Sequence, residues 1–145
     1  MSPLDDSALR LIFGCGYLGR RVARLWRENG HRVAAALKPD IVELLVTTFH
    51  ELRAGQTSDG KALEPLTTAM STAEAVSTAY AAGIHAYYYG SNEVEPEHLV
   101  QHLVGSALKD APDDVKKLAN YFNHVVKGRR RGSWPAYYEA RKHLS

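Results

Sequence analysis

A parallel β-sheet requires strands and helices to alternate repeatedly, and this chain supplies the alternation only once. From Leu9 to Leu37 an apolar run is followed by a glycine cluster, a basic amphipathic stretch, a glycine and a second apolar run. That order reads as strand, turn, helix, strand. From Pro39 onward no further strand pattern appears, and helical segments separated by capped loops follow instead. Two strands alone make a marginal sheet, so the core of such a chain must come from helices. The expected fold is therefore mainly α, a helical bundle over residues 39–145 preceded by one βαβ unit over residues 1–38.

The helical part is punctuated clearly. Pro39 suits a first helical position, and Ile41, Leu44, Leu45, Thr48, Phe49 and Leu52 recur at helical spacing until Gly55. The run Gly55 to Lys61 is polar and turn-rich, and it leads to a loop through Pro65. Ser71-Thr72-Ala73-Glu74 spells a capping box, which predicts a second helix from Thr72 to about Tyr88. After the turn Gly90-Ser91-Asn92, Val94 begins a short extended piece and Pro96 opens a third helix through about Leu108. Acidic residues around Pro112 favour the start of a fourth helix, where the dipole stabilises them. It carries Val115, Leu118, Ala119, Phe122, Val125 and Val126 and is expected to end at Gly128, and Trp134 to Leu144 reads as a last short helix. The run Tyr87-Tyr88-Tyr89 cannot all face inward, so at least one ring meets solvent or a partner.

Composition narrows the class. The 145 residues carry Lys+Arg 18 against Asp+Glu 16, a formal net charge of +2. One cysteine excludes an intramolecular disulfide. No apolar run approaches the ~20 residues of a membrane-spanning helix, and Met1 to Arg10 lacks the pattern of a secretory signal. A soluble cytoplasmic protein is expected, too short to hold a complete dinucleotide-binding oxidoreductase or a complete ring-forming ATPase.

The glycine cluster carries the first chemistry. Leu11-Ile12-Phe13-Gly14-Cys15-Gly16-Tyr17-Leu18-Gly19 places G-x-G-x-x-G between a strand and a helix. In that context Gly14 permits the tight turn, Gly16 lets a pyrophosphate approach the backbone, and Gly19 lets helix and strand pack closely. Residues Leu9 to Leu37 resemble the first Rossmann-like βαβ unit of the short-chain epimerase/dehydratase branch of NAD(P)-binding proteins. The resemblance implies NAD(P) on Gly14, Gly16 and Gly19, with Lys38, where the second strand ends, suited to a 2′-phosphate. The further strands of that family do not follow. Its Tyr-x-x-x-Lys spacing recurs only as Tyr138 and Lys142, in a basic C-terminal helix that reads as a solvated face with aromatic packing.

From Pro39 to the end the chain resembles the C-terminal helical lid of MoxR-type AAA+ ATPases. The carrying phrases are Thr48 to Gly55, Leu63 to Ser77, Val94 to Leu99, Leu103 to Asp110 and Trp134 to Ala140. The resemblance implies a small lid-like bundle that docks on a nucleotide-binding domain and meets ATP only through that partner. The partner would be a P-loop ATPase subunit or a second copy of the chain. The chain carries no G-x-x-x-x-G-K-[ST] loop, since its only Gly-Lys pair, Gly60-Lys61, is followed by Ala62. The stretch Ser71 to Ala75 also lacks the arginine that many such lids place there to sense the γ-phosphate. ATP hydrolysis by this chain alone is not expected, and no catalytic residue is assigned.

Three weaker signals remain. His98 and His102 stand four apart on one helix, the spacing of two metal ligands, but no third ligand can be named and solvent-facing or capping roles are the default. Cys15 at a helix start reads as a small turn residue. Lys127, Arg129, Arg130 and Arg131 beside Trp134, Tyr137 and Tyr138 are one footprint of nucleic-acid binding, although a solvated loop or an acidic protein partner explains them better. The expected function is a non-catalytic helical module of an AAA+ ATPase. The alternatives are an NAD(P)-binding remnant using the glycine loop, or a recombined chain without evolved activity.

Overall fold

A computed structural model describes residues 10–12, 33–67, 70–90, 93–108 and 111–144. Strands β1 (Arg10–Ile12) and β2 (Val33–Ala36) pair in parallel, Arg10 opposite Val33 and Ile12 opposite Ala36, with an irregularity between the two pairs. The crossover helix expected between them, and with it Gly14, Cys15, Gly16 and Gly19, falls outside the described residues. β2 lies against the second of five α-helices among the described residues.

Helix α1 (Pro39–Ala54) begins after Lys38 in extended conformation, with Pro39 and Asp40 in its first turn. It ends on Gly55 at φ 68°, a left-handed conformation that costs a residue with a Cβ about 1 kcal/mol. Its buried face carries all six apolar-periodic positions, Ile41, Leu44, Leu45, Thr48, Phe49 and Leu52, and also Glu51. Helix α2 (Thr72–Tyr89) starts at the expected capping box: the Ser71 hydroxyl accepts from the Glu74 amide at 3.3 Å while the Glu74 carboxylate accepts from the Ser71 amide at 2.9 Å.

Helix α3 (Pro96–Leu103) runs into a π-helical turn, Val104–Leu108, where the pattern predicts ordinary α-helix. Gly105, a poor helix former, sits inside that turn. The short extended piece expected from Val94 is present: the Val94 side chain is buried and the extended Glu95 leads straight into the α3 cap. Helix α4 (Pro112–His124) stops short of the expected Gly128, and a 3-10 turn (Val126–Gly128) follows. The last helix divides into α5 (Trp134–Glu139) and a 3-10 segment (Ala140–Leu144).

The core gathers Leu44 from α1, Leu99 and Leu103 from α3, Leu118 and Phe122 from α4 and Tyr137 from α5, all close to fully buried. Each such side chain contributes about 1.5–3 kcal/mol by leaving water. Tyr137 packs on Phe122 with ring centroids 4.8 Å apart, and its hydroxyl pairs with that of Thr48 at 3.1 Å. A buried hydroxyl thus finds a partner instead of remaining unsatisfied. Among the described residues no helix is long and apolar enough to cross a membrane.

Candidate docking face and histidine cluster

Helix α2 presents its side chains in an unusual order of size. Its buried face consists of Thr78, Ala79, Ala82, Gly83 and Ala86, residues small enough to let the backbone approach α3 closely. The large side chains lie elsewhere. Val76, Tyr80, Ile84 and Tyr88 follow one another at four-residue spacing and therefore share a side of the helix. Tyr88 is 61% and Tyr89 85% exposed, and Val76 and Tyr80 are about half exposed. Between this side and α3 opens a largely apolar groove of about 640 Å³, lined by Tyr80, Ala81, Ile84, His85, Tyr89 and His102.

Two histidines line the groove, His85 and His102, and a third, His98, packs beside His85. The His85 ring lies 5.2 Å from that of His98 and 5.1 Å from that of His102, centroid to centroid. His85 Nδ1 and His102 Nε2 form a hydrogen bond of 3.0 Å. Buried His98 accepts the Glu95 amide proton on Nδ1 at 2.9 Å and so caps α3. Tyr89 meets the His85 ring edge-on. Burial lowers the pKa of His98, with the nearby His85 acting in the same direction and Glu97 and Glu95 opposing. Burial also lowers that of His102, reinforced by His85 and His98. At the end of α2 the chain passes so close that a Cβ on Gly90 would lie 3.0 Å from the Ala86 carbonyl oxygen and 3.4 Å from His98 Nε2.

A second polar group lies inside the bundle. The fully buried Glu51 carboxylate accepts from the Ser58 amide and hydroxyl at 2.9 and 2.8 Å, from Arg129 Nη2 at 2.5 Å and from the Tyr121 hydroxyl at 2.6 Å. Burial pushes the carboxyl pKa up, but Arg129, Tyr121 and Ser58 together hold it below the ordinary value. The same burial, with the bond to Glu51, drives the Tyr121 pKa far up and keeps the phenol protonated. Arg129 also lies over the Trp134 ring, 4.4 Å from its centroid. This group joins α1, α4 and the loop before α5, and it holds structure together without facing the groove.

Both features belong to a recognisable module. A family model described as YehL-like AAA+ ATPase C-terminal domain matches residues 20–145. The chain belongs to that family. Uncharacterized protein YehL of Escherichia coli (strain K12) is 39% identical over 124 residues, which cover 84% of this chain and 33% of that protein. The chain thus spans about a third of the length of this curated relative. No solved structure matches it. The expected kinship with an AAA+ helical module holds at this level. Neither match supports the resemblance to NAD(P)-binding epimerases, and the family match extends into the segment that carries it.

The remaining expected sites of this YehL-like domain can now be placed. Lys38 caps the approach to α1 and pairs with Glu93 at 2.7 Å, both side chains about half exposed. That bond raises the Lys38 pKa, with desolvation opposing it. Gly14, Gly16 and Gly19 lie outside the described residues. His98 and His102 do share a side of α3, but their facing nitrogens are taken by the Glu95 amide and by His85. Among the described residues no group of three His, Cys, Asp or Glu side chains is arranged to hold a metal ion. The basic knot separates: Arg129 turns inward to Glu51, while Lys127, Arg130 and Arg131 stay exposed. Tyr138 lies under the Arg141 guanidinium, 3.9 Å from it.

Sequence reading missed Glu51 and His85. Glu51 had a signal, since it falls seven residues after Leu44, on the apolar face of α1. His85 had none, because its partners stand 13 and 17 residues away on another helix, as the numbering shows.

Proposed function

We propose that this chain is the helical module of a MoxR-type AAA+ ATPase and docks through the outer side of α2 on the nucleotide-binding domain. The observation that carries this reading is the reversed order of size on α2, with small residues inside and Val76, Tyr88 and Tyr89 outside. Large aromatics are the residues that bind best at protein interfaces, because they bury much area at little conformational cost. Family membership and the one-third coverage of the E. coli relative supply the occupant, the remaining two thirds of an AAA+ ATPase. ATP and the residues that hydrolyse it belong to that occupant, whether it is part of a longer polypeptide or a separate chain. In this reading residues 39–145 form the docking bundle, and residues 1–38 form a βαβ unit beside it, as the parallel pairing of β1 with β2 favours.

A split experiment tests the docking. The portion of E. coli YehL outside the matched region is mixed with its own C-terminal third as a control, and then with this chain, and binding is measured by calorimetry. Saturable 1:1 binding is expected for both. Tyr88→Ser combined with Tyr89→Ser should weaken binding by this chain at least about tenfold, the size of an interface anchor. Equal affinity of the variant, or binding by the control alone, would count against this docking face.

A further inference from the structure

We infer that the His85–His98–His102 cluster makes the α2 docking groove sensitive to protons, so that acidification below about pH 6.5, the ordinary histidine value, loosens α2 from α3 and weakens docking. The inference rests on the docking reading above and adds a control to the same groove.

A hydrogen bond between two imidazoles needs one nitrogen with a proton and one without. The 3.0 Å bond from His85 Nδ1 to His102 Nε2 therefore survives only while at least one of the two rings is neutral. A second proton removes the acceptor and places two cations in contact within a groove lined mainly by apolar atoms. His98 is constrained more tightly. Its Nδ1 accepts the Glu95 amide proton, so a proton arriving there would face another N–H and open the cap of α3. Because His98 is only 6% exposed and its Nε2 lies against the end of α2 near Gly90, the ring has no room to swing away unless α2 or the turn after it moves.

The surrounding charges do not cancel this effect. On α3 and its cap, Glu95 and Glu97 favour the His98 cation, but burial and His85 outweigh them. Glu97 is shared with His143 of the C-terminal 3-10 segment, whose Nε2 lies 3.9 Å away. From α2 the ionisable neighbours are His85 itself, the Tyr89 phenol, whose ring meets His85 edge-on, and the Tyr80 phenol, which lines the same groove. Burial keeps His98 and His102 below the ordinary histidine value. The unfolded chain therefore binds more protons than the folded one as the pH drops through that value, and stability is present above it and lost below it. Two of the six groove residues, His85 and His102, are members of the cluster, and a third, Tyr89, packs on it. Loosening of the cluster thus changes the docking face directly.

The test uses two substitutions that keep hydrogen bonding and remove titration. His98→Asn leaves an amide oxygen near the place of Nδ1, and His102→Gln leaves one near that of Nε2. Histidine NMR titrations and melting curves of the 145-residue chain are recorded from pH 8 to pH 5, together with binding to the remainder of E. coli YehL at pH 7.5 and pH 5.5. In the parent chain the His98 and His102 signals should titrate below those of an unfolded histidine. Its melting temperature should fall by several degrees more than that of the double variant on acidification, and docking should weaken at least tenfold. The double variant should bind nearly equally at both pH values. Each single variant is measured as well, so that a folding failure in the double variant leaves two readings. Identical pH profiles for parent and variants would overturn the inference while leaving docking intact. A proton-dependent cluster with no docking at pH 7.5 would instead remove the docking reading on which it rests.

Discussion

Helices α1 and α2 are of similar length and lie in the same bundle, yet they solve opposite problems. On α1 the large apolar residues other than Val46 turn toward the bundle, and the one charged residue on the buried face, Glu51, is fully bonded. On α2 the inward residues are alanines, a glycine and a threonine, while Tyr80, Tyr88 and Tyr89 stand outside. An inward face of large side chains makes a helix a structural pillar, because the buried area fixes its position. An inward face of small side chains brings backbones close but buries less area, and it frees the large residues for contact with something else. In the docking reading proposed above, burial pattern, more than hydrophobic content, is what separates α2 from a core helix such as α1.

The sharpest break in this comparison is expected at Glu51. Glu51→Gln removes the charge that Arg129 neutralises and leaves a half-buried guanidinium without its charged partner, which should cost about 3 kcal/mol in urea unfolding, the low end for breaking a buried pair. In the parent chain the depressed Glu51 pKa means that its contribution is present above the ordinary value of 4.5 and is lost as the pH falls through the folded value. The variant should lack that part of the acid dependence, and a parent-like acid limb would show that Glu51 does not anchor α1.

A smaller loss is expected from crowding the close approach of α2 to α3. Ala82→Leu puts three extra carbons at a position with no exposed surface and should cost about 1–3 kcal/mol. A neutral outcome would mean that the small residues of α2 do not set its distance from α3. On the outer side the effect on folding should almost vanish. Tyr88→Ser with Tyr89→Ser is expected to change unfolding free energy by no more than about 0.5 kcal/mol, as for most exposed positions, despite its effect on docking. A large loss of stability would turn these tyrosines back into core residues. The smallest expected effect lies in the N-terminal segment. Millimolar NADPH should leave the melting temperature unchanged, whereas binding would raise it by linkage. A rise that Gly16→Val abolishes would restore Gly14, Gly16 and Gly19 as a cofactor turn.

Much of the helical architecture is legible in the chain itself. Pro39 and Gly55 delimit α1, Ser71 and Glu74 start α2, and all six periodic positions of α1 are buried, because caps and helical periodicity act through neighbours a few residues apart. The α3 start at Pro96 follows from the same local chemistry. Finer breaks were not legible. The π-helical turn at Val104–Leu108 and the early end of α4 at His124 depend on how α3 and α4 meet the C-terminal segment, and their sequences still read as helix. The basic knot misled in a related way. A run of cations looks like one surface, yet Arg129 alone is drawn inward by a carboxylate.

The sequence by itself determined a mainly helical chain, the starts of its helices, and its kinship with an AAA+ helical module. Those properties rest on short-range rules or on long collinear phrases. Only the tertiary structure decided which residues act together. Arg129 meets Glu51 across 78 positions, and His85 meets His102 across 17. It also decided that Tyr88 and Tyr89 of α2 face outward. The reason is physical: a hydrogen bond between distant residues, or a choice between two faces of a weakly amphipathic helix, has no energy until the other helices are in place.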